Sequence, residues 1–178
     1  MDRLTASITP VAPFDFELTA GYHTYFQSRY GTDTMEDGVY RRLLDLGDKL
    51  VLASVRSAGT VDAPELKLEL QGSELSAADV DLAKERVSWL LGAGQDLAPF
   101  YELGRVDQAM SGLVDQFYGL HLPHTATAFE ALVLAVLGQQ ISTSVARIIR
   151  TLLIETFGPS AEFDGETYYA FPRPASIW

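Results

Sequence analysis

The sequence predicts an α+β fold, in which a small antiparallel sheet with helices is followed by a helical domain. Three short runs have the pattern of strands: residues 38–45, 48–57 and 64–71. The third run alternates leucines with charged side chains, as a strand with one buried face does. Short turn-like segments separate the runs, which favours antiparallel pairing. Beyond Gly94 every apolar pattern has helical spacing, so we expect two domains, residues 1–94 and 95–178.

Two helices are predicted in the first domain. Residues 14–28 are rich in aromatic side chains, and Asp15 is suited to cap the start of a helix. A second helix begins after Ser76, and Asp79 stands where a capping partner is expected. Its predicted core face consists of Val80, Ala83, Val87, Leu90 and Leu91, and Gly92 closes it.

Four helices are predicted in the second domain, at about residues 97–102, 105–118, 127–138 and 143–157. Thr127 and Glu130 have the spacing of a capping box, and the helix that follows them is apolar on almost every side. We therefore expect that helix in the middle of the domain. Ser142 caps the next helix, and the chain after Gly158 has no regular pattern.

Composition limits the classes of function. The net charge of −11 argues against a chain that simply coats nucleic acid, since that binding depends on Lys and Arg. The chain has no Cys, which excludes disulfides and thiolate metal sites. No apolar run reaches the roughly 18 residues of a membrane helix, and the first residues do not resemble a signal peptide. We expect a cytoplasmic protein.

The stretch LGQQIS, residues 137–142, places polar side chains between two apolar helices. Glutamine amides are costly to bury without partners, so a rigid corner that presents them outward would suit recognition. In the alternative interpretation, Gly138 simply ends the helix and the glutamines hydrogen-bond the backbone of the corner.

The segment AFEALVLAVLGQQISTSVARIIRTLLIETFG, with the later FP-x-P, resembles the opening of the helix-hairpin-helix DNA glycosylases of the bacterial 3-methyladenine DNA glycosylase II type. The resemblance covers nearly the whole chain. Residues 13–16 (PFDF), Tyr22 after Gly21, three strands and a helix occur in that family's order. It implies base-excision repair of alkylated purines in double-stranded DNA, by base flipping and hydrolysis of the N-glycosidic bond, without metal or cofactor.

The resemblance also implies roles for individual residues. The DNA-binding corner would comprise Gln139, Gln140 and Ser142, with Gln140 filling the gap left by the flipped nucleotide and Gln139 bracing the turn. Tyr22 would form a wall of the base pocket, where a tyrosine face attracts an electron-poor or cationic base. The alternative is that Tyr22 belongs to the core, as aromatic residues on amphipathic helices commonly do.

The defining catalytic parts of that family do not occur in this sequence. We find neither a glycine-rich hairpin that grips phosphate nor an Asp downstream of it, and only 20 residues follow Gly158. The chain is therefore expected to be inactive alone, with no assigned catalytic residue; Asp164 and Glu166 are the carboxylates to suspect if it is active. His23, His121 and His124 lack the spacing of metal ligands, and the last two are expected in a surface loop.

Two hypotheses remain open at this stage. The chain is either part of a monofunctional, nucleoid-associated DNA glycosylase or a non-catalytic, truncated or divergent module that binds protein or is structural. The excess of acidic over basic residues favours the second hypothesis, the non-catalytic module. In both cases the predicted helices leave an apolar face, which we expect to be covered by a homodimer contact or by downstream helices. The lesion preference is not determined by these residues.

Overall fold

The computed structural model describes residues 1–177, and it confirms the α+β class. The strands are β1 (Asp2–Ile8), β2 (Arg29–Tyr30), β3 (Asp33–Glu36), β4 (Val39–Asp45), β5 (Leu50–Ser57), β6 (Leu66–Gly72), β7 (Ser160–Phe163) and β8 (Glu166–Tyr169). The helices are α1 (Phe16–His23), α2 (Ala77–Leu90), α3 (Ala98–Val106), α4 (Ser111–Gln116), α5 (Ala128–Leu137) and α6 (Thr143–Phe157), followed by a 3-10 turn at Pro174–Ser176.

Six strands form one antiparallel sheet in the order β1-β6-β5-β4-β3-β2. The three predicted strands are confirmed as β4, β5 and β6, and the alternating leucines of β6 are buried in the main core. The sequence analysis missed β1, although Leu4, Ala6 and Ile8 alternate along it and the strand pairs with β6 over its whole length. It also missed β2 and β3, which have two and four residues and are too short to show a period.

Helices pack on one face of the sheet, and a hairpin covers part of the other face. Val51, Ala53 and Val55 of β5 face the core that contains α1 and α2. Leu52 and Leu43 face the opposite side, where they pack against Phe163 and Ala170. Phe163 belongs to a β-hairpin formed by β7 and β8, and Ala170 directly follows it. This region was expected to be irregular, and that expectation was wrong. The hairpin turns at Asp164 and Gly165, whose φ values of 51° and 84° suit a tight two-residue turn.

The two helices predicted in the first half are confirmed. Asp15 caps α1 by accepting a hydrogen bond from the Leu18 N–H at 2.9 Å, and Ser76 and Asp79 form a reciprocal capping box at α2. α1 ends at His23, earlier than the aromatic pattern indicated. The chain then reverses through Tyr25 and Phe26, which both have positive φ, a conformation that costs energy for residues other than glycine.

The prediction of one helix over residues 105–118 was wrong. The chain breaks between α3 and α4 because the Asp107 carboxylate accepts hydrogen bonds from the backbone N–H groups of Ala109 and Met110 at 2.8 and 3.0 Å. These local bonds offer the backbone an alternative to the helix. The apolar residues with helical spacing in this stretch are Val106, Met110, Leu113, Val114 and Phe117. Of these five only Val114 is buried, and it packs against Gly104 of α3.

α5 does not lie in the middle of the described structure, contrary to the prediction. Leu132 and Val136 are 66% and 65% exposed, and within residues 1–177 only Glu130 of α5 is buried. α6 continues this apolar surface with Val145, Ile148 and Leu152, which are 44%, 57% and 58% exposed. We call these five residues the exposed helical face. Within residues 1–177 no helix is both long enough and apolar enough to cross a membrane.

Candidate functional site

The LGQQIS stretch forms the corner between α5 and α6. α5 ends at Leu137, and Ser142 caps α6 by accepting a hydrogen bond from the Val145 N–H at 3.4 Å. Gln139 and Gln140 are both exposed, and Gln140 has a φ of 59°. Within residues 1–177 neither amide side chain makes a hydrogen bond, so the alternative in which the glutamines tie down the corner backbone has no support.

A cavity of about 240 Å³ opens beside this corner. One side consists of corner and helix residues, including Gly138 and Ile141, and the other side is formed by Tyr25 and Tyr30 with Arg150. Tyr25 and Tyr30 have ring centroids 4.6 Å apart. Burial and the neighbouring tyrosines raise the pKa of Tyr25, so its hydroxyl remains a neutral hydrogen-bond donor. The corner therefore adjoins an aromatic recess.

Tyr22, the predicted pocket residue, stands next to this recess but does not line it directly. Its ring is 42% exposed and is stacked on Tyr25, with centroids 6.0 Å apart. A Cβ at Gly21 would lie 2.8 Å from the Phe26 ring, so a larger residue there would require that exposed ring to shift. The sequence analysis missed Tyr25 and Tyr30, although the density of aromatic residues after α1 was a usable signal.

A buried cluster of charged side chains joins the sheet to the first turn of α5. The Arg42 guanidinium donates to Asp33 at 3.0 and 3.2 Å and to Glu130 at 3.0 and 2.8 Å. The Tyr40 hydroxyl donates to Asp33 at 2.5 Å. Burial by itself would raise the pKa of Asp33, but Arg42, His23 and this hydrogen bond lower it to about 2. Burial lowers the pKa of Arg42, yet Asp33 and Glu130 raise it well above its usual range.

This cluster connects the sheet to both helices of the corner. Glu130 lies in the first turn of α5, where its carboxylate also accepts a hydrogen bond from the Ala126 N–H at 3.0 Å. Arg150 of α6 approaches Asp33 at 3.9 Å, and its guanidinium lies 4.4 Å from the centroid of the Tyr30 ring. The sequence analysis took Glu130 only as a capping residue. A charged residue such as Arg42 within an otherwise apolar strand indicates a buried carboxylate partner, because charged side chains are rarely buried without one.

The other residues singled out in the sequence lie elsewhere. Asp164 is in the β7–β8 turn, where its carboxylate pairs with Arg3 at 2.9 Å, and Glu166 accepts a hydrogen bond from Tyr168 at 2.8 Å. Both carboxylates line a polar groove on the outer face of the sheet that shares no residue with the corner cavity.

His121 is fully buried, which corrects the expectation of a surface loop. Its two ring nitrogens lie 2.7 and 2.8 Å from the carbonyl oxygens of Gly92 and Pro13. It therefore fastens the loop before α5 to the first half of the chain.

Comparison with solved structures defines the class of fold. A 3-methyladenine DNA glycosylase from Archaeoglobus fulgidus superposes with a TM-score of 0.78 at 22% identity, over 97% of this chain and 57% of that protein. An 8-oxoguanine glycosylase/lyase from Clostridium acetobutylicum superposes with a TM-score of 0.69 at 14% identity, over 99% and 55%. The fold is that of a little over half of a DNA glycosylase.

Comparison of amino-acid sequences indicates a more specific class of DNA glycosylase. The chain is 40% identical over 77 residues to the DNA-3-methyladenine glycosylase of Bacillus subtilis (strain 168), a match that covers 43% of this chain and 25% of that relative. The resemblance to 3-methyladenine DNA glycosylases is therefore confirmed, for a part of such a protein. No model of a protein family matches the chain.

Proposed function

We propose that this chain is the N-terminal portion of a DNA glycosylase of base-excision repair, which removes alkylated purines by base flipping and hydrolysis of the N-glycosidic bond. The observation that carries the proposal is the exposed Gln140 at a rigid corner beside an aromatic recess. The similarity to named DNA glycosylases in sequence and in fold supports it. Double-stranded DNA with alkylated bases is the proposed partner.

In this proposal Gln140 is the wedge that occupies the space of the flipped nucleotide, with Gln139 and Ser142 beside it. The left-handed backbone of Gln140 costs roughly 1–2 kcal/mol relative to a glycine, and such strain is concentrated at functional sites. A wedge must be held rigidly while its side chain stays free to contact DNA. The capped helix α6 and the buried Arg42 cluster provide the rigid support.

The aromatic recess is the proposed receiving space for the base. Tyr25 and Tyr30 line this space, and Tyr22, stacked on Tyr25, would extend the aromatic surface beside it. Aromatic faces provide stacking that does not depend on a particular hydrogen-bond pattern. A planar base could therefore be held before any chemistry begins.

We propose that the chain is inactive alone, and that the whole protein is a monofunctional glycosylase that needs no metal or cofactor. The residues that line the corner cavity include no carboxylate. Asp33 and Glu130 are nearby, but both are buried and bound to Arg42, so neither is free to stabilise an oxocarbenium ion or activate water. The catalytic carboxylate would come from a segment outside residues 1–177.

The exposed helical face is proposed to be covered, either by helices of a longer chain or by a second copy of this chain. Contiguous apolar surface of this kind marks an interaction site. The same face, together with the net charge of −11, favours a second candidate function, a non-catalytic module that binds protein. The two candidates differ in whether the corner engages DNA.

The test separates the side chain of Gln140 from its backbone. Gln140→Gly should remove the wedge and relieve the left-handed strain, so the free energy of unfolding should be unchanged or higher by up to about 1 kcal/mol. Binding of residues 1–178 to a duplex with an abasic site should weaken at least several-fold, measured by fluorescence anisotropy. Thr156→Ala, at the exposed far end of α6, is the control and should change neither quantity.

Equal binding of abasic DNA by the wild type and by Gln140→Gly would refute the wedge. The cheapest supporting observation is the coding sequence beyond Trp178, where the proposal expects a glycine-rich hairpin followed by an Asp.

A further inference from the structure

The loop after α1 presents two aromatic side chains on a strained backbone. Tyr25 and Phe26 have φ values of 52° and 55°, a left-handed conformation that is costly for bulky side chains. The ring of Phe26 is 65% exposed and lies against Gly21, so it buries little area in return. Core packing therefore does not account for an aromatic residue at this position. Backbone strain of this kind is concentrated at functional sites.

This loop lies beside the first turns of α6. The guanidinium of Arg147 donates a hydrogen bond to the side-chain oxygen of Gln27, which directly follows Phe26. Tyr25, which directly precedes Phe26, lines the corner cavity. The exposed ring of Phe26 therefore belongs to the surface that surrounds the corner.

The same surface is poor in acidic side chains. Residues 131–154, which contain most of α5, the corner and most of α6, include no Asp or Glu, although the chain has 24 acidic residues among 178. Residues 24–30 include none either. Arg29 and Arg150 have carboxylate partners, whereas Arg147 is exposed and forms no salt bridge within residues 1–177. The local charge therefore favours a phosphate here, despite the net charge of −11.

We propose that Phe26 and Arg147 form a second DNA contact beside the Gln140 wedge. In this arrangement Phe26 stacks on a base that has lost a stacking neighbour to the flipped nucleotide, and Arg147 pairs with a phosphate of the DNA backbone. An aromatic ring stacks on any base, and a guanidinium pairs well with phosphate oxygens. Proteins commonly hold unstacked bases by this combination of aromatic and cationic side chains.

This inference rests on the proposed function and extends its DNA-binding surface to the first half of the chain. The strained backbone has a purpose in this arrangement, because it fixes the direction of the Phe26 ring before DNA binds. Fixing the ring in advance lowers the entropy that binding would otherwise cost.

The test measures binding of residues 1–178 to a duplex with an abasic site, by fluorescence anisotropy over a series of salt concentrations. Phe26→Asn removes the ring, and Asn tolerates a left-handed backbone. We expect it to weaken binding about fivefold to tenfold, the contribution of one stacked base, without changing the slope of log affinity against log salt. Arg147→Gln should make that slope shallower by about 0.9, because one phosphate contact is lost.

The controls have the same chemistry at positions that do not line the corner cavity. Phe100→Asn removes a ring that is 47% exposed on α3, and Arg56→Gln removes an exposed cation on the outer face of the sheet. Each should keep the affinity within about twofold of the wild type and leave the salt slope unchanged. Phe26→Tyr keeps an aromatic ring and should also bind within about twofold. The urea midpoint of Phe26→Asn should change by less than about 0.5 M, which a structural role of the ring would not allow.

Three results would overturn the proposal: equal affinity of the wild type and Phe26→Asn, a loss of affinity that Phe26→Tyr shares, or a salt slope that Arg147→Gln leaves unchanged. The salt slope of Arg147→Gln is decisive by itself if Phe26→Asn does not fold. Gln140→Gly in the same assay separates this inference from the proposed function. Binding that depends on Gln140 but on neither Phe26 nor Arg147 contradicts the second contact alone, and a wild type that binds no abasic duplex refutes both.

Discussion

Replacing Glu130 with alanine should destabilise the protein by about 3 kcal/mol, since it removes one partner of a buried ion pair. The carboxylate of Glu130 is 1% exposed and accepts two hydrogen bonds from Arg42, at 3.0 and 2.8 Å. It also accepts the backbone N–H of Ala126 at 3.0 Å. Its loss leaves Arg42 buried with one of its two carboxylate partners and leaves the partly buried N–H of Ala126 without its acceptor.

The size of this loss in unfolding free energy follows from the interactions that Arg42 keeps after Glu130 is removed. Breaking a buried pair costs about 3–5 kcal/mol, and Arg42 retains Asp33 at 3.0 Å, which favours the lower end of that range. The total free energy of unfolding of a typical domain is about 5–15 kcal/mol, so the loss is a large fraction of the stability. With a urea dependence of about 2 kcal/mol per molar, the unfolding midpoint should fall by about 1.5 M.

Urea denaturation followed by circular dichroism measures this shift. The control is Glu155→Ala, which removes an ion pair with Arg29 whose side chains are 39% and 44% exposed. Exposed pairs contribute about 0–1 kcal/mol, so the control should shift the midpoint by less than about 0.5 M. A Glu130→Ala midpoint as close to the wild type as that of the control would show that the cluster does not secure α5 to the sheet.

Three further predictions concern pH, the exposed helical face and activity. Because the pKa of Asp33 is lowered to about 2, its stabilising contribution is complete above roughly pH 5 and is lost progressively as the pH falls from there through the folded-state pKa of about 2. The free energy of unfolding should therefore depend less on acid pH in Asp33→Asn than in the wild type. Leu152→Glu should reduce self-association in sedimentation and the binding of a hydrophobic dye; a wild type that is monomeric and binds no dye would contradict a face that needs a cover. Purified residues 1–178 should release no 3-methyladenine from methylated duplex DNA, and turnover above a buffer blank would direct attention to Asp164 or Glu166.

Much of the fold could be predicted because its signals are local. The alternation of Leu66, Leu68 and Leu70 identified β6, and the capping pair Ser76 and Asp79 located the start of α2. The wrong predictions of secondary structure came from local hydrogen bonds that compete with the helix and from strands too short to show a hydrophobic period. Asp107 breaks a stretch whose apolar spacing is helical, and the β7–β8 hairpin is short, although Asp164 and Gly165 are a recognisable turn pair.

The candidate site was likewise predictable from the sequence only in part. The corner was recognised because polar residues between apolar helices are conspicuous in the sequence. Its support could not be recognised, because Arg42 and Glu130 are 88 positions apart and only the folded chain brings them together. The same is true of Arg150 and Gly31, which are brought together only when α6 lies beside the end of β2. The sequence pattern shows which faces are apolar but not which charges meet inside the folded chain.

Disulfide cross-linking at position 140 tests the wedge most directly, since the chain has no Cys and an introduced thiol is unique. Gln140→Cys would be mixed with a duplex whose base opposite an abasic site carries a tether that ends in a mixed disulfide, so that the Cys thiolate attacks the tether and displaces the small leaving thiol. Asp48→Cys, in the exposed turn between β4 and β5, is the matched control. The account predicts rapid cross-linking by Gln140→Cys, little by Asp48→Cys, and a lower yield for Gln140→Cys on an intact duplex. Equal yields at the two positions, or on the two duplexes, would contradict it.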